Sequence, residues 1–109
     1  MSLAALLSGD VVTVTPYAEE TAYGPTWGDP VEVSCRVEYG RKLVRNTAGD
    51  EVVSETTIYV LPVLPDGRRA VDVFPVESLV THEGRQGTVI GAAPHRGMGG
   101  TVYVEVTTT

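Results

Sequence analysis

VEVSCRVEYGRKLVRNTAGDEVVSETTIYV, residues 31–60, decides the fold class. In its first nine residues Val31, Val33, Cys35, Val37 and Tyr39 share one parity while Glu32, Ser34, Arg36 and Glu38 share the other. That period of two belongs to a half-buried strand, because successive side chains on an extended backbone point to opposite faces. The pattern lapses between residues 40 and 51 around the turn signal NTAGD. It then resumes, with Val52, Thr56, Ile58 and Val60 on one side and Val53, Tyr59 and Leu61 on the other. A hairpin is expected, and its second strand, apolar on both faces, is central or meets a neighbouring subunit.

The flanking sequence repeats this grammar. Residues 10–16, DVVTVTP, place Val12 and Val14 on one face and stop at Pro16, which has no ladder donor. Residues 17–30 hold Tyr17, Tyr23, Trp27, two Gly and two Pro, and read as a long loop. Its aromatics either fold back to cap an open barrel end or contact a partner. A Pro-Asp-Gly turn in residues 62–69 leads to VDVFPVESLV, residues 71–80, read as a strand broken by Pro75. Residues 81–106 read as strand, turn, strand, Gly-rich turn, strand, with Val89 and Ile90 in the middle strand. In the last strand Val102, Val104 and Val106 face inward and Tyr103 and Glu105 outward, and residues 107–109 form a frayed tail. The whole is expected to be mainly β, a small single-domain barrel or sandwich of six to seven short antiparallel strands with long loops. Residues 1–9, MSLAALLSG, form a short N-terminal arm with Leu3 and Leu6 as candidate contacts.

Size and charge narrow the function classes. With 109 residues, 42% of them apolar, the chain suits one domain and one modest core. No apolar run reaches the roughly 18–20 residues that span a bilayer, and LAALL lacks the basic flank of a signal peptide, so a soluble protein made in the cytoplasm is expected. A single cysteine, Cys35, makes no internal disulfide. The net charge of -6 argues against broad adhesion to nucleic acid. Yet Arg36, Arg41, Lys42 and Arg45 are four of only eight cations, gathered in ten positions. They either pair with Glu32, Glu38, Asp50 and Glu51 or meet a negatively charged surface, where several copies around one axis would sum their fields.

Catalytic and metal motifs are weak. Cys35 sits among valines on the inward parity, which disarms a thiol, and His82, Glu83 and His95 match no ligand spacing. The glycine-rich HRGMGG, residues 95–100, lacks a GK[ST] ending and a following helix, so it reads as a hairpin turn. No enzyme, metal or cofactor is expected.

The order of features resembles the head-closure or stopper proteins, the head-to-tail connectors of long-tailed bacteriophages. The matching pieces are GDVVTVTPY, YGPTWGDPVEVSCRVEYGRKLVRNTAGDEVVSE, and EGRQGTVIGAAPHRG with TVYVEV, spanning most of residues 9–107. The resemblance implies a β-barrel assembled as a hexameric or dodecameric ring in the virion neck. A portal adaptor lies above it, a tail terminator or tail tube below, and packaged double-stranded DNA in the lumen. Carried over by position, residues 40–51 would be the lumen loop, with Arg41, Lys42 and Arg45 facing DNA. Leu3, Leu6, Tyr17, Tyr23 and Trp27 would meet neighbouring subunits or rings. A tail-completion, terminator or adaptor role is the near alternative. A monomeric module binding peptide or carbohydrate through Tyr17, Tyr23 and Trp27 is the distant one.

Overall fold

The computed structural model describes residues 9–46, 48–97 and 100–109. The proposed arm contacts Leu3 and Leu6 lie outside them. Among the described residues eight strands are formed: β1 (Asp10–Thr15), β2 (Tyr17–Thr21), β3 (Gly24–Trp27), β4 (Val31–Arg45), β5 (Glu51–Val60), β6 (Leu79–His82), β7 (Arg85–Gly97) and β8 (Gly100–Thr108). Six of them close an antiparallel barrel in the order β1-β4-β5-β8-β7-β6, with β6 returning to β1. Closure removes the open edges that a small sheet would otherwise expose. The alternation of residues 31–39 holds: Val33 and Cys35 are buried, and Val31 and Val37 pack against the same core as Val12, Val14, Ile58, Val60, Val104 and Val106. β5 lies between β4 and β8; Ile58 and Val60 on its inward face join the core, while Val53 on the other face is 49% exposed.

The two barrel ends differ. The chain leaves β5 at Val60 and re-enters at Leu79, and the intervening residues stopper that end. Residues 71–74, expected as strand, instead complete a one-turn helix α1 (Ala70–Val73) that buries Ala70, Val73 and Phe74 in the core. Closing the end of the barrel needs a compact apolar plug, and this tertiary demand overrides the β-branched composition. Residues 17–30 are not a structureless loop: β2 and β3 form a separate two-stranded sheet. Residues 107 and 108 are no frayed tail either, since Thr107 and Thr108 pair with β5 and β7 and Thr108 is buried. Val102 lies beyond the last β5 partner, Val60 opposite Val104, and is 36% exposed, contrary to its inward assignment. Among the described residues the opposite end is an open mouth, bordered by the two-residue β6–β7 turn. There Glu83 and Gly84 both have positive φ, 50° and 80°, the twist that a tight hairpin requires.

Candidate functional site: a two-faced ribbon and the barrel mouth

The hairpin of residues 31–60 is longer than the barrel wall. β8 pairs with β5 only from Thr56 onward and β1 with β4 only up to Cys35, so residues 41–45 and 51–55 continue as a two-stranded ribbon. The turn is shorter than expected, occupying 46–50. Asn46 accepts the amides of Ala48 and Asp50 on Oδ1, at 3.0 and 2.9 Å, and Gly49 takes φ 86°. This is side-chain turn chemistry written in NTAGD, although Thr47 lies outside the described residues.

A β-bulge at Gly40 and Arg41 sets the ribbon's faces. Between Tyr39 opposite Thr56 and Lys42 opposite Ser54, β4 takes three steps where β5 takes two. The extra residue inverts the parity of β4. Without it the odd positions Arg41, Leu43 and Arg45 would continue the inward face of Cys35 and Val37. With it Lys42 and Val44, opposite Ser54 and Val52, turn toward the barrel. The other face carries Arg41, Leu43 and Arg45 on β4 and Glu51, Val53 and Glu55 on β5, and all six are exposed.

The barrel-side face is fastened. Ser54 Oγ, fully buried, donates to the Thr108 carbonyl at 3.0 Å. Lys42 Nζ reaches Glu105 Oε1 at 2.5 Å, and Glu105 Oε2 lies 2.8 Å from His95 Nε2. His95 stacks on Tyr103 with centroids 4.6 Å apart. The Lys42 ammonium, and after it the His95 imidazole, hold the Glu105 carboxyl below the usual carboxylate range against the opposing effect of partial burial. A groove of about 420 Å³ runs between ribbon residues 42–45 and the wall of Gly91, Ala92, Ala93, Glu105 and Thr107.

The three cations assigned to the lumen loop therefore sit on strand and each has a carboxylate partner. Arg41 Nε lies 3.2 Å from Glu55, Lys42 bonds Glu105, and Arg45 lies 4.0 Å from Glu51 while donating to the Gly49 carbonyl at 2.9 Å. Arg36 likewise meets Glu38 at 3.3 Å. Residues 41–55 hold three cations and three carboxylates, Asp50 included, so the ribbon has no net formal charge. Arg36, Arg41 and Arg45 thus pair within the hairpin, and Lys42 pairs across to β8. The arginine pairs are solvent-exposed and worth little energetically, so they exchange partners readily.

The aromatic candidates separate. Tyr23 stands at the β2–β3 turn fully exposed and caps nothing, while Tyr17 and Trp27 meet edge to face at 6.4 Å, with Trp27 41% exposed.

The barrel mouth was invisible in the sequence because its residues come from five strands. A cavity of about 470 Å³ is lined by Val37, Ile58 and Val80 below and by Tyr39, Arg41, Glu55, His82 and Arg85 at the rim. Tyr39 Oη bonds His82 Nδ1, and Arg85 stands 4.8 Å over the Tyr39 ring. His82 Nε2 is 3.7 Å from Asp10 Oδ1, too long for a hydrogen bond, while Asp10 Oδ2 accepts the Val37 amide at 3.0 Å. Asp10 thus ties β1 to β4 through the Val37 amide, and Tyr39 with His82 ties β4 to β6 at the rim.

Cys35 is no nucleophile in this fold. It is fully buried, and desolvation, then the neighbouring Asp10 charge, push its thiol up to about 12. Among the described residues no helix is long and apolar enough to cross a membrane. Compared with known proteins, the chain matches no family model and no curated relative.

Proposed function

We propose that the protein is a structural connector of a bacteriophage neck, a head-closure subunit that works as a ring of identical copies beneath the portal and its adaptor. The observation that carries this reading is the two-stranded ribbon standing beyond a small closed barrel. A barrel alone tiles a ring, and a ribbon standing beyond the barrel, fastened to the wall of β7 and β8 through Lys42 and Glu105, supplies an element to narrow the ring's channel. In this reading the tail docks on the opposite side, and the β2–β3 hairpin with exposed Tyr23 and Trp27 contacts a neighbouring ring.

Retention of DNA in this reading is mainly steric, because the ribbon's net charge is zero. Arg41 and Arg45 are the cations to meet phosphate, since their exposed carboxylate partners are easily exchanged. Lys42 instead holds the ribbon to the barrel through Glu105. No bond is made or broken. The exposure of Tyr23 and Trp27 favours one second reading, a monomeric module that binds peptide or carbohydrate on the β2–β3 hairpin.

The test is to mix the chain with portal and adaptor particles and image them. An added symmetric layer with residues 41–55 at the central opening supports the connector. Ribbons on the outer rim, or no layer at all, overturn it. In the same system Arg41→Ser with Arg45→Ser should leave the layer intact and let DNA escape from filled heads.

A further inference from the structure

The ribbon's outward face has a charge pattern complementary to itself. Along β4 it reads Arg41, Leu43, Arg45, and along β5 Glu55, Val53, Glu51. Leu43 and Val53 are directly opposed in the hairpin, 63% and 49% exposed, and Arg45 opposes Glu51. Two cations thus lie on one strand and two carboxylates on the other, with an uncovered apolar pair between them. Exposed large aliphatic side chains placed opposite one another on a sheet mark a surface that gains by being covered.

We propose that this face is a self-association surface whose occupant is the same ribbon of a second copy. Only one face-to-face arrangement satisfies the charges. Turning the second copy about an axis along the ribbon's length lays its β4 over β5 of the first. Arg41 and Arg45 then stand over Glu55 and Glu51 of the second copy, and Leu43 over its Val53. A two-fold axis across the ribbon places arginine over arginine and is disfavoured by repulsion. The contact is isologous, so every pair occurs twice. Six side chains cover less than the roughly 1,000 Å² of a stable interface, so the dimer is weak, with dissociation on the order of 0.1–1 mM. The inference does not rest on the connector reading, because it concerns the purified chain free of any platform. It adds to that reading a solution state in which the ribbon face is covered until the two copies part.

Charge exchange tests it. The variant Arg41→Glu with Arg45→Glu makes the face wholly negative, and Glu51→Arg with Glu55→Arg makes it wholly positive. Sedimentation of wild type up to millimolar concentration should show a monomer–dimer equilibrium that weakens several-fold as salt rises. Each variant alone should stay monomeric, and an equimolar mixture should form a dimer at least as tight as wild type. Restoration by mixing separates a contact between copies from the loss of ion pairs within one chain. A wild type monomeric throughout, a variant that dimerises alone like wild type, or a mixture that stays monomeric overturns the proposal. Should a charge variant fail to fold, Leu43→Ser with Val53→Thr keeps all four charges and must still weaken the dimer at least several-fold; an unchanged dimer would reject it.

Discussion

Lys42 and Glu105 are 63 residues apart in sequence, yet their charged atoms meet at 2.5 Å, tying the hairpin ribbon to β8. Glu105 has a lowered pKa in the folded protein, so its contribution is complete above the usual carboxylate range and is lost as pH falls through the depressed value. Glu105→Gln should therefore cost about 1 kcal/mol near neutrality, a modest figure because Lys42 is partly exposed. Thermal melts of both proteins from pH 7 to pH 3 should show the gap closing toward acid. A gap that persists or widens would remove the ion pair from the account.

Cys35 should be unreactive toward a thiol-specific disulfide reagent at neutral pH and should react fully once denaturant opens the barrel. Its burial and its raised pKa, about 12, both suppress the thiolate. Rapid labelling of the native chain would place Cys35 outside the core.

The inward register of β8 distinguishes neighbours of equal chemistry. Val104→Glu inserts an unpaired charge into the core and should cost about 4 kcal/mol or more, enough to unfold a small domain. Val102→Glu, two residues earlier and past the barrel's pairing, should cost under about 1 kcal/mol. Equal melting of the two variants would refute the register.

Gly87 lies where β7 passes the end of β8. A Cβ there would stand 2.6 Å from the Thr109 carbonyl oxygen and 3.2 Å from Thr108 Oγ1. Gly87→Ala should thus destabilise by about 1–3 kcal/mol through forced backbone displacement, measurable by urea unfolding. Tyr23→Ala, at a fully exposed turn, is the neutral control.

Much of this architecture could be read from residue order. Alternation in residues 31–39 placed Val33 and Cys35 in the core, NTAGD marked the turn, and Val104 and Val106 were correctly inward. The faces of the ribbon were not read, because a single extra residue at the Gly40–Arg41 bulge inverts all that follows, and the isolated Gly40 is the one composition signal that marks it. The helical turn at α1 escaped because Val, Asp, Val and Phe favour strand locally, while the need to close the barrel end is a property of the assembled fold. The mouth cluster of Tyr39, His82, Asp10 and Arg85 escaped for a related reason: only the closing pairs β1–β4 and β1–β6 bring these residues together. For the basic cluster the sequence left two readings open, and the partners of Arg41 and Lys42, Glu55 and Glu105, were outside the set of carboxylates considered.

β8 lies between β5 and β7, yet it is the last of the eight strands to be synthesised. Until it emerges from the ribosome, the sheet has two unpaired margins, and Val12, Ile58 and Val60 lack Val104 and Val106 as packing partners. The nascent chain therefore cannot acquire its cooperative structure piecemeal, and formation of the domain waits until residues 100–108 have left the ribosome.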